Sequence, residues 1–299
     1  MQATTCGFTN SLLGWLGFPM AFQASWLQRQ LGRELLELRE SRGHTTREVG
    51  EALGWAHTKV GRIERAENKI DPMDVIRLAK YYKLSDADSE RLCTMARESR
   101  TDSWWERFKP WINEPYYTLL GYENDATRLL ALHNSVVHGL LQTEGYMRGL
   151  FETSALIRDP DHVDVHIEVR LLRQRRLFEP EPLVVDVILQ DSVLGTPFGG
   201  VKVLNEQLRH LRELAELPNV VLRSIPATSP VTRMPLDIYE FGGGDGPAVA
   251  SSESIFSTVV HDGPLEVRQA RRALERVRSA ALSPEETVRI IEQRIRETH

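Results

Sequence analysis

Between positions 57 and 69 the chain carries side chains suited to reading a hydrogen-bonding polyanion. His57, Thr58, Lys59 and Arg62 fall on roughly one side of a helix, with their tips near its N-terminal half. An arginine presents two parallel N–H donors that match O6 and N7 of guanine, so Arg62 is the candidate base reader. His57 and Thr58 add single donors or acceptors beside it. Lys59, Arg65 and Lys69, with Thr46 and Arg47 at the amide end of the preceding helix, are suited to phosphate oxygens. The implied chemistry is recognition of double-stranded DNA, with the N-terminal residues of one helix entering a major groove.

Two short helices must hold these groups. Thr45 followed by Glu48 is a capping box, which starts the first. Val49 and Leu53, four residues apart, give it an apolar stripe. Gly50 stands where a second helix must come close, and Gly54 ends the first helix as a residue of positive φ does. Trp55, Val60 and Ile63 carry the apolar face into the second helix.

The run T-T-R-E-V-G-E-A-L-G-W-A-H-T-K-V-G-R-I-E-R-A at 45–66 resembles the Cro/repressor (Xre) family of helix-turn-helix proteins, and the resemblance spans about residues 27–83. It implies a five-helix, lambda-repressor-like domain. Helix one runs over Leu31 to Ser41, helix four over Pro72 to Tyr82 and helix five over about Asp86 to Ser99. It also implies a structural ion pair between Arg39 and Glu64. Two positions depart from the family pattern. Thr46 replaces the usual glutamine of helix two, and Ala56 replaces the usual Ser/Thr cap of the recognition helix, a loss worth about 1 kcal/mol.

Charge agrees locally. The chain of 299 residues carries a net −5, but residues 26–84 hold 12 Lys/Arg against 9 Asp/Glu, leaving 25 against 33 elsewhere. A basic module on an acidic body suits specific binding through a small surface and argues against coating nucleic acid along the whole length. Cys6 and Cys93 match no metal or redox spacing. No apolar run reaches the ~18 residues of a membrane span, so a reducing, cytoplasmic setting is expected. Residues 1–25 carry no charged side chain and lack the basic start of a signal peptide. They are expected to form a disordered leader, which allows a natural start at Met20, or else a short helix packing on a partner.

Residues 26–100 form the first domain in this reading and 101–299 a second. Trp104, Trp105 and Trp111 suggest a junction where the two pack. The pattern from 116 to 156 reads as helical. A helix at 162–178 has Val163, Ile167, Leu171 and Leu172 inside and Arg170, Arg173, Arg175 and Arg176 outside, as a solvated face or a site for an acidic partner or phosphate. From 183 the period becomes strand-like: L-V-V-D-V-I-L-Q, N-V-V-L-R-S-I-P, L-D-I-Y-E-F-G, Ala248–Ser254 and Ser257–Val260. Helices are expected at 200–217, 264–281 and 284–297. The fold class is therefore α+β: an all-α N-terminal domain, then an α+β domain with a small, mostly antiparallel sheet.

The strings G-L-L-Q-T-E-G-Y-M-R, R-L-L-R-Q-R-R-L-F, Q-L-R-H-L-R-E-L-A-E-L-P-N-V-V-L and L-S-P-E-E-T occur in that order. They resemble the uncharacterised C-terminal domain of actinobacterial, WhiJ-like Xre regulators, which extends the resemblance to about residues 27–295. It implies a homodimer and an antitoxin-like arrangement with a small protein encoded nearby. A small-molecule ligand between sheet and helices is the other reading. No cofactor is implied, and enzymatic readings find little support. His162 and His166 lie i,i+4 but lack a third ligand, so no metal site is assigned. The glycine-rich 242–246 stretch lies between strands rather than before a helix. Asp186, Asp191 and Glu240 are strand-associated carboxylates without an evident role.

Overall fold

The computed structural model describes residues 25–99, 103–153, 160–231, 234–242, 247–253 and 258–298. The leader, Cys6, the tip of the 242–247 turn, Ser254 and Ser257 lie outside the described residues.

The first domain is five helices: α1 (Trp26–Ser41), α2 (Thr46–Leu53), α3 (His57–Glu64), α4 (Pro72–Tyr81) and α5 (Asp86–Glu98). Ser25, Thr45, Asp71 and Ser85 cap four of them with side-chain oxygens, as N-caps require. One core joins them, built on Leu31, Leu35, Val49, Val60, Ile70 and Leu78 with Leu92 and Cys93. Helix one starts earlier than Leu31. Its first residue, Trp26, is buried in the second domain's core, while Leu31 and Leu35 lie in the first. Trp26 stacks on Phe241 at 4.0 Å between ring centroids, and the Leu27 amide donates to Asp125 at 3.4 Å. A single helix is thus rooted in both domains.

The second domain follows in the order α6 (Glu114–Asp125), β1 (Arg128–His133), α7 (Glu144–Thr153), α8 (Pro160–Gln174), β2 (Val184–Gln190), α9 (Val201–Leu214), β3 (Val220–Ile225), β4 (Leu236–Glu240), β5 (Ala248–Glu253), β6 (Thr258–His261), α10 (Pro264–Ala280) and α11 (Pro284–Glu297). The sheet order is β3-β2-β1-β4-β5-β6. The β1–β2 and β2–β3 pairings are parallel, and the other three are antiparallel. The domain is therefore α+β with a mixed sheet of six strands. The parallel half exists because β1, read as helical from sequence, is a strand. It sits mid-sheet with both faces covered, so R-L-L-A-L-H shows no alternation to betray it.

Period-two alternation sorts the strand residues into two cores. Leu129, Ala131, Val185, Val187 and Leu222 face α6, α9 and α11. Leu132, Ile188, Ile225 and Ile238 face Leu274 and Val277 of α10. The tryptophan cluster packs within the second domain instead of marking the junction. Trp105, Phe108 and Ile112 sit with Tyr117 of α6 and Val169 of α8, while Trp111 is exposed. The phase of α8 also differs from expectation. Leu171 is exposed, and Val169 and Arg173 point inward. Buried Arg173 grips Glu123 through two hydrogen bonds of 2.7 Å and donates to Tyr116 at 2.9 Å. Arg170 donates to Gln142 and Arg176 to the Ala126 carbonyl, so much of the expected solvated face is internal bracing. No helix among the described residues is long and apolar enough to cross a membrane.

Candidate nucleic-acid interface

α2 and α3 meet through the groups the sequence supplies for that purpose. Thr45 Oγ1 accepts from the Glu48 amide at 3.2 Å while Glu48 accepts from the Thr45 amide at 2.7 Å, closing the capping box. Gly54 ends α2 at φ 67°, in the left-handed region. A Cβ at Gly50 would stand 3.0 Å from the Trp55 carbonyl oxygen and 3.2 Å from His57 Cα, so the α2–α3 approach requires a glycine or close to it. Gly32, which the sequence reading passed over, does the same for α1 and α3: a Cβ there would lie 2.6 Å from the Glu64 carbonyl oxygen. Ala56 provides no side-chain cap to α3.

With Val60 and Ile63 buried, α3 turns His57, Thr58 and Arg62 outward, and all three are exposed. Arg62 lies 3.8 Å from Glu67, beyond hydrogen-bond length, whereas Arg65 donates to Glu67 at 2.6 Å. Arg47 pairs with Glu51 along α2 at 2.8 Å. Thr46 occupies the first position of α2 and is half-buried; Lys69 is exposed beyond α3. Lys59 is the exception in this set. Its ammonium donates to Asp74 at 2.8 Å and lies 4.2 Å from the centre of the Trp55 ring, so it braces α3 against α4. Beneath the surface Arg39 donates to both Glu64 oxygens at 2.7 and 3.0 Å and to the His44 carbonyl at 2.8 Å. The Glu64 carboxylate holds the Arg39 guanidinium more firmly charged than usual. This pair ties α1 to the last residue of α3 and so fixes the angle at which α3 leaves the domain.

The second domain gathers two charged sites that sequence spacing did not reveal. Buried His133, His138 and Asp237 offer ligand-type atoms within 4.8 Å of one another. His133 Nε2 pairs with Asp237 at 3.0 Å, and His138 Nδ1 accepts from the Leu140 amide at 3.3 Å. An accepting Nδ1 places the proton of a neutral ring on Nε2, where no lone pair is then left for a cation. Burial pushes the His138 pKa down to about 3 despite the Asp237 carboxylate nearby. Asp237 is held below the usual carboxylate range by His133, against its own burial. The geometry is that of a hydrogen-bonded cluster bridging β1 and β4, with a neutral His138 ring beside the Asp237 carboxylate. His162 and His166 instead pack on aromatic rings, Trp111 and Tyr116 respectively. The second site lies under α10. There Asp186 and Glu240 are buried among Arg128, Arg223, Arg271 and Arg278. The sequence signals for it were the strand-associated carboxylates Asp186 and Glu240, to which no role was assigned.

A family model described as a helix-turn-helix domain matches residues 30–92. A second, described as a domain of unknown function (DUF5753), matches residues 116–293. No match was found among curated proteins or among solved structures.

Proposed function

The chain belongs to the DUF5753 family and joins that domain to a helix-turn-helix, and from this we propose a dimeric, sequence-specific transcription regulator of Xre type whose C-terminal domain senses a ligand or a small partner protein in the cytoplasm. The observation that carries the reading is α3 itself: its apolar side is buried while His57, Thr58 and Arg62 stand out from a helix held by the Arg39–Glu64 pair. Arg62 reads a guanine, and His57 and Thr58 reach neighbouring base edges. Arg47, Arg65, Lys69 and the amide end of α2 at Thr46 hold phosphates. Lys59 contributes mainly by bracing α3. Two copies would set their recognition helices about 34 Å apart, one turn of DNA.

The test is selection from a random duplex library with the full chain. The expected result is an enriched motif of two half-sites about one turn apart. A single half-site bound by a monomer would remove the dimer, and no enrichment would remove sequence-specific reading.

An antitoxin-like, autoregulatory module is the second reading, favoured by a groove of about 580 Å³ beside edge strand β3, bordered by α9 and α11. Thr287 and the Leu282 amide already occupy the Ser224 end of this edge, so the stretch over Val220 to Leu222 is where another chain could add. Mixing the protein with the small protein encoded beside it separates the readings. A stable complex with altered DNA affinity supports the second, and no association supports a ligand sensor. In both, the chain binds and does not catalyse.

A further inference from the structure

Alternation that gives the α10 face of the sheet its apolar core breaks at one end. Two residues before Leu130 on β1 stands Arg128, two before Ile188 on β2 stands Asp186, and two after Ile238 on β4 stands Glu240. The register sets these side by side, with Arg128 opposite Glu240 and Asp186 opposite Leu130. Arg271 and Arg278 reach down from α10, and Arg223 reaches across from β3. Between sheet and helix lies a cavity of about 370 Å³, the size at which small-molecule sites begin.

The charges in this cavity do not satisfy one another. Asp186 and Glu240, each 4 % exposed, face the guanidinium groups of Arg128, Arg223, Arg271 and Arg278. One of the five ion pairs is a hydrogen bond, Arg271 to Glu240 at 2.9 Å. The rest span 3.5 to 3.8 Å. Buried Arg128 Nε and Arg223 Nε have no hydrogen-bond partner, nor does Asp186 Oδ1. Among the residues that line the cavity, Arg128, Arg271, Arg272 and Arg278 outnumber Asp186, Glu240 and Glu275, the last of which lies 3.7 Å from Arg278, and the unfilled Arg128 donor belongs to this wall. Buried donors call for an acceptor, and buried charge calls for its opposite. Leu130, Ile188 and Leu274 form the apolar part of the wall.

We propose that this cavity binds a small organic oxyanion, a carboxylate or phosphate joined to an apolar body. The oxyanion accepts from Arg128 and from the α10 arginines, above all Arg278, and the apolar body lies on Leu130, Ile188 and Leu274. A cation is disfavoured because each carboxylate is already flanked by arginines. The site deepens the ligand-sensing part of the proposed function and does not depend on DNA being bound.

The experiment is thermal unfolding of the full chain, without DNA, against benzoate, phenyl phosphate and the neutral benzamide, with sodium chloride matched in ionic strength. The expected result is a saturable rise in midpoint with benzoate or phenyl phosphate, the stronger of the two identifying the headgroup. Benzamide and chloride are expected to give no such rise. Arg278→Gln, on a half-exposed position that leaves the sheet intact, is expected to weaken binding about ten-fold, the ~1.4 kcal/mol of one lost charged contact. Arg271→Gln is the second variant should the first fail to fold. No saturable rise with either anion at ~10 mM, beyond the weakest useful affinities, overturns the proposal. So does an equal rise with chloride, or a rise untouched in the variants. DNA binding that persists through such a failure would leave the regulator reading intact.

Discussion

At the scale of the residue, Arg62 and Arg39 separate reading from holding. Arg62→Ala is predicted to lose about 1–3 kcal/mol of specific binding and to relax preference at one base pair, with the fold unchanged. Uniform weakening on all sequences, measured by competition titration, would make Arg62 a phosphate contact instead. Arg39→Ala leaves Glu64, 5 % exposed as a side chain, without its two hydrogen bonds. Losing such a charged contact costs about 1.5–3 kcal/mol of stability, and urea unfolding checks it. An unchanged midpoint would mean that the pair does not hold α3. The helix-turn-helix residues were legible because local rules place them: caps, a positive-φ glycine and helical spacing act within a few residues. The Asp186–Glu240 arginine site was not legible. Its members come from five elements as far apart as positions 128 and 278, and strand register together with the packing of α10 on the sheet assembles them.

At the scale of the element, packing distances decide which helices can move. Gly32 places its Cα where a methyl would meet the Glu64 carbonyl at 2.6 Å, so Gly32→Ala must push α3 from α1. Overpacking of this kind costs about 1–3 kcal/mol, and specific DNA affinity is expected to fall along with thermal stability. An alanine variant as stable as the parent would show that the two helices have slack. α1 also joins the domains, since Trp26 lies in the second core and Leu31 in the first. Trp26→Ala removes a buried ring that stacks on Phe241, at a cost of about 3–5 kcal/mol. Calorimetry is expected to resolve one unfolding transition in the parent and two in the variant. One transition in both would place the coupling elsewhere. This link is illegible in sequence because helix one is expected to begin only at Leu31, which leaves Trp26 outside it. The hidden strand β1 has the same kind of cause: burial on both faces erases the alternation that marks a strand.

At the scale of the whole molecule, buried histidines set how the fold responds to acid. His138 has a pKa near 3 folded against about 6.5 unfolded, so the unfolded chain binds more protons between those values. Stability therefore falls as pH drops through that window. At pH 5 the His138 contribution is about 2 kcal/mol below its value at pH 7 or slightly less. His166, pushed down to about 4 by burial, acts in the same direction. Asp237, held below its ordinary value, adds a loss only at lower pH, outside this range. His133, Arg173 and Arg170 around His138 further oppose its protonation. Unfolding midpoints measured from pH 7 to 5 are expected to fall, with a shallower slope in His138→Gln. A flat profile, or an unchanged slope in the variant, would contradict the buried neutral histidine.

Regulation by this protein depends on α3 reading DNA. Its most direct test is binding of the purified full chain to the DNA upstream of its own coding sequence, against a scrambled duplex, at about 150 mM salt, where non-specific phosphate contacts are weak. Nanomolar binding to the first is expected, with affinity at least about a thousand-fold weaker for the second. Equal, weak binding to both would contradict it and leave the helix-turn-helix as a scaffold for another protein.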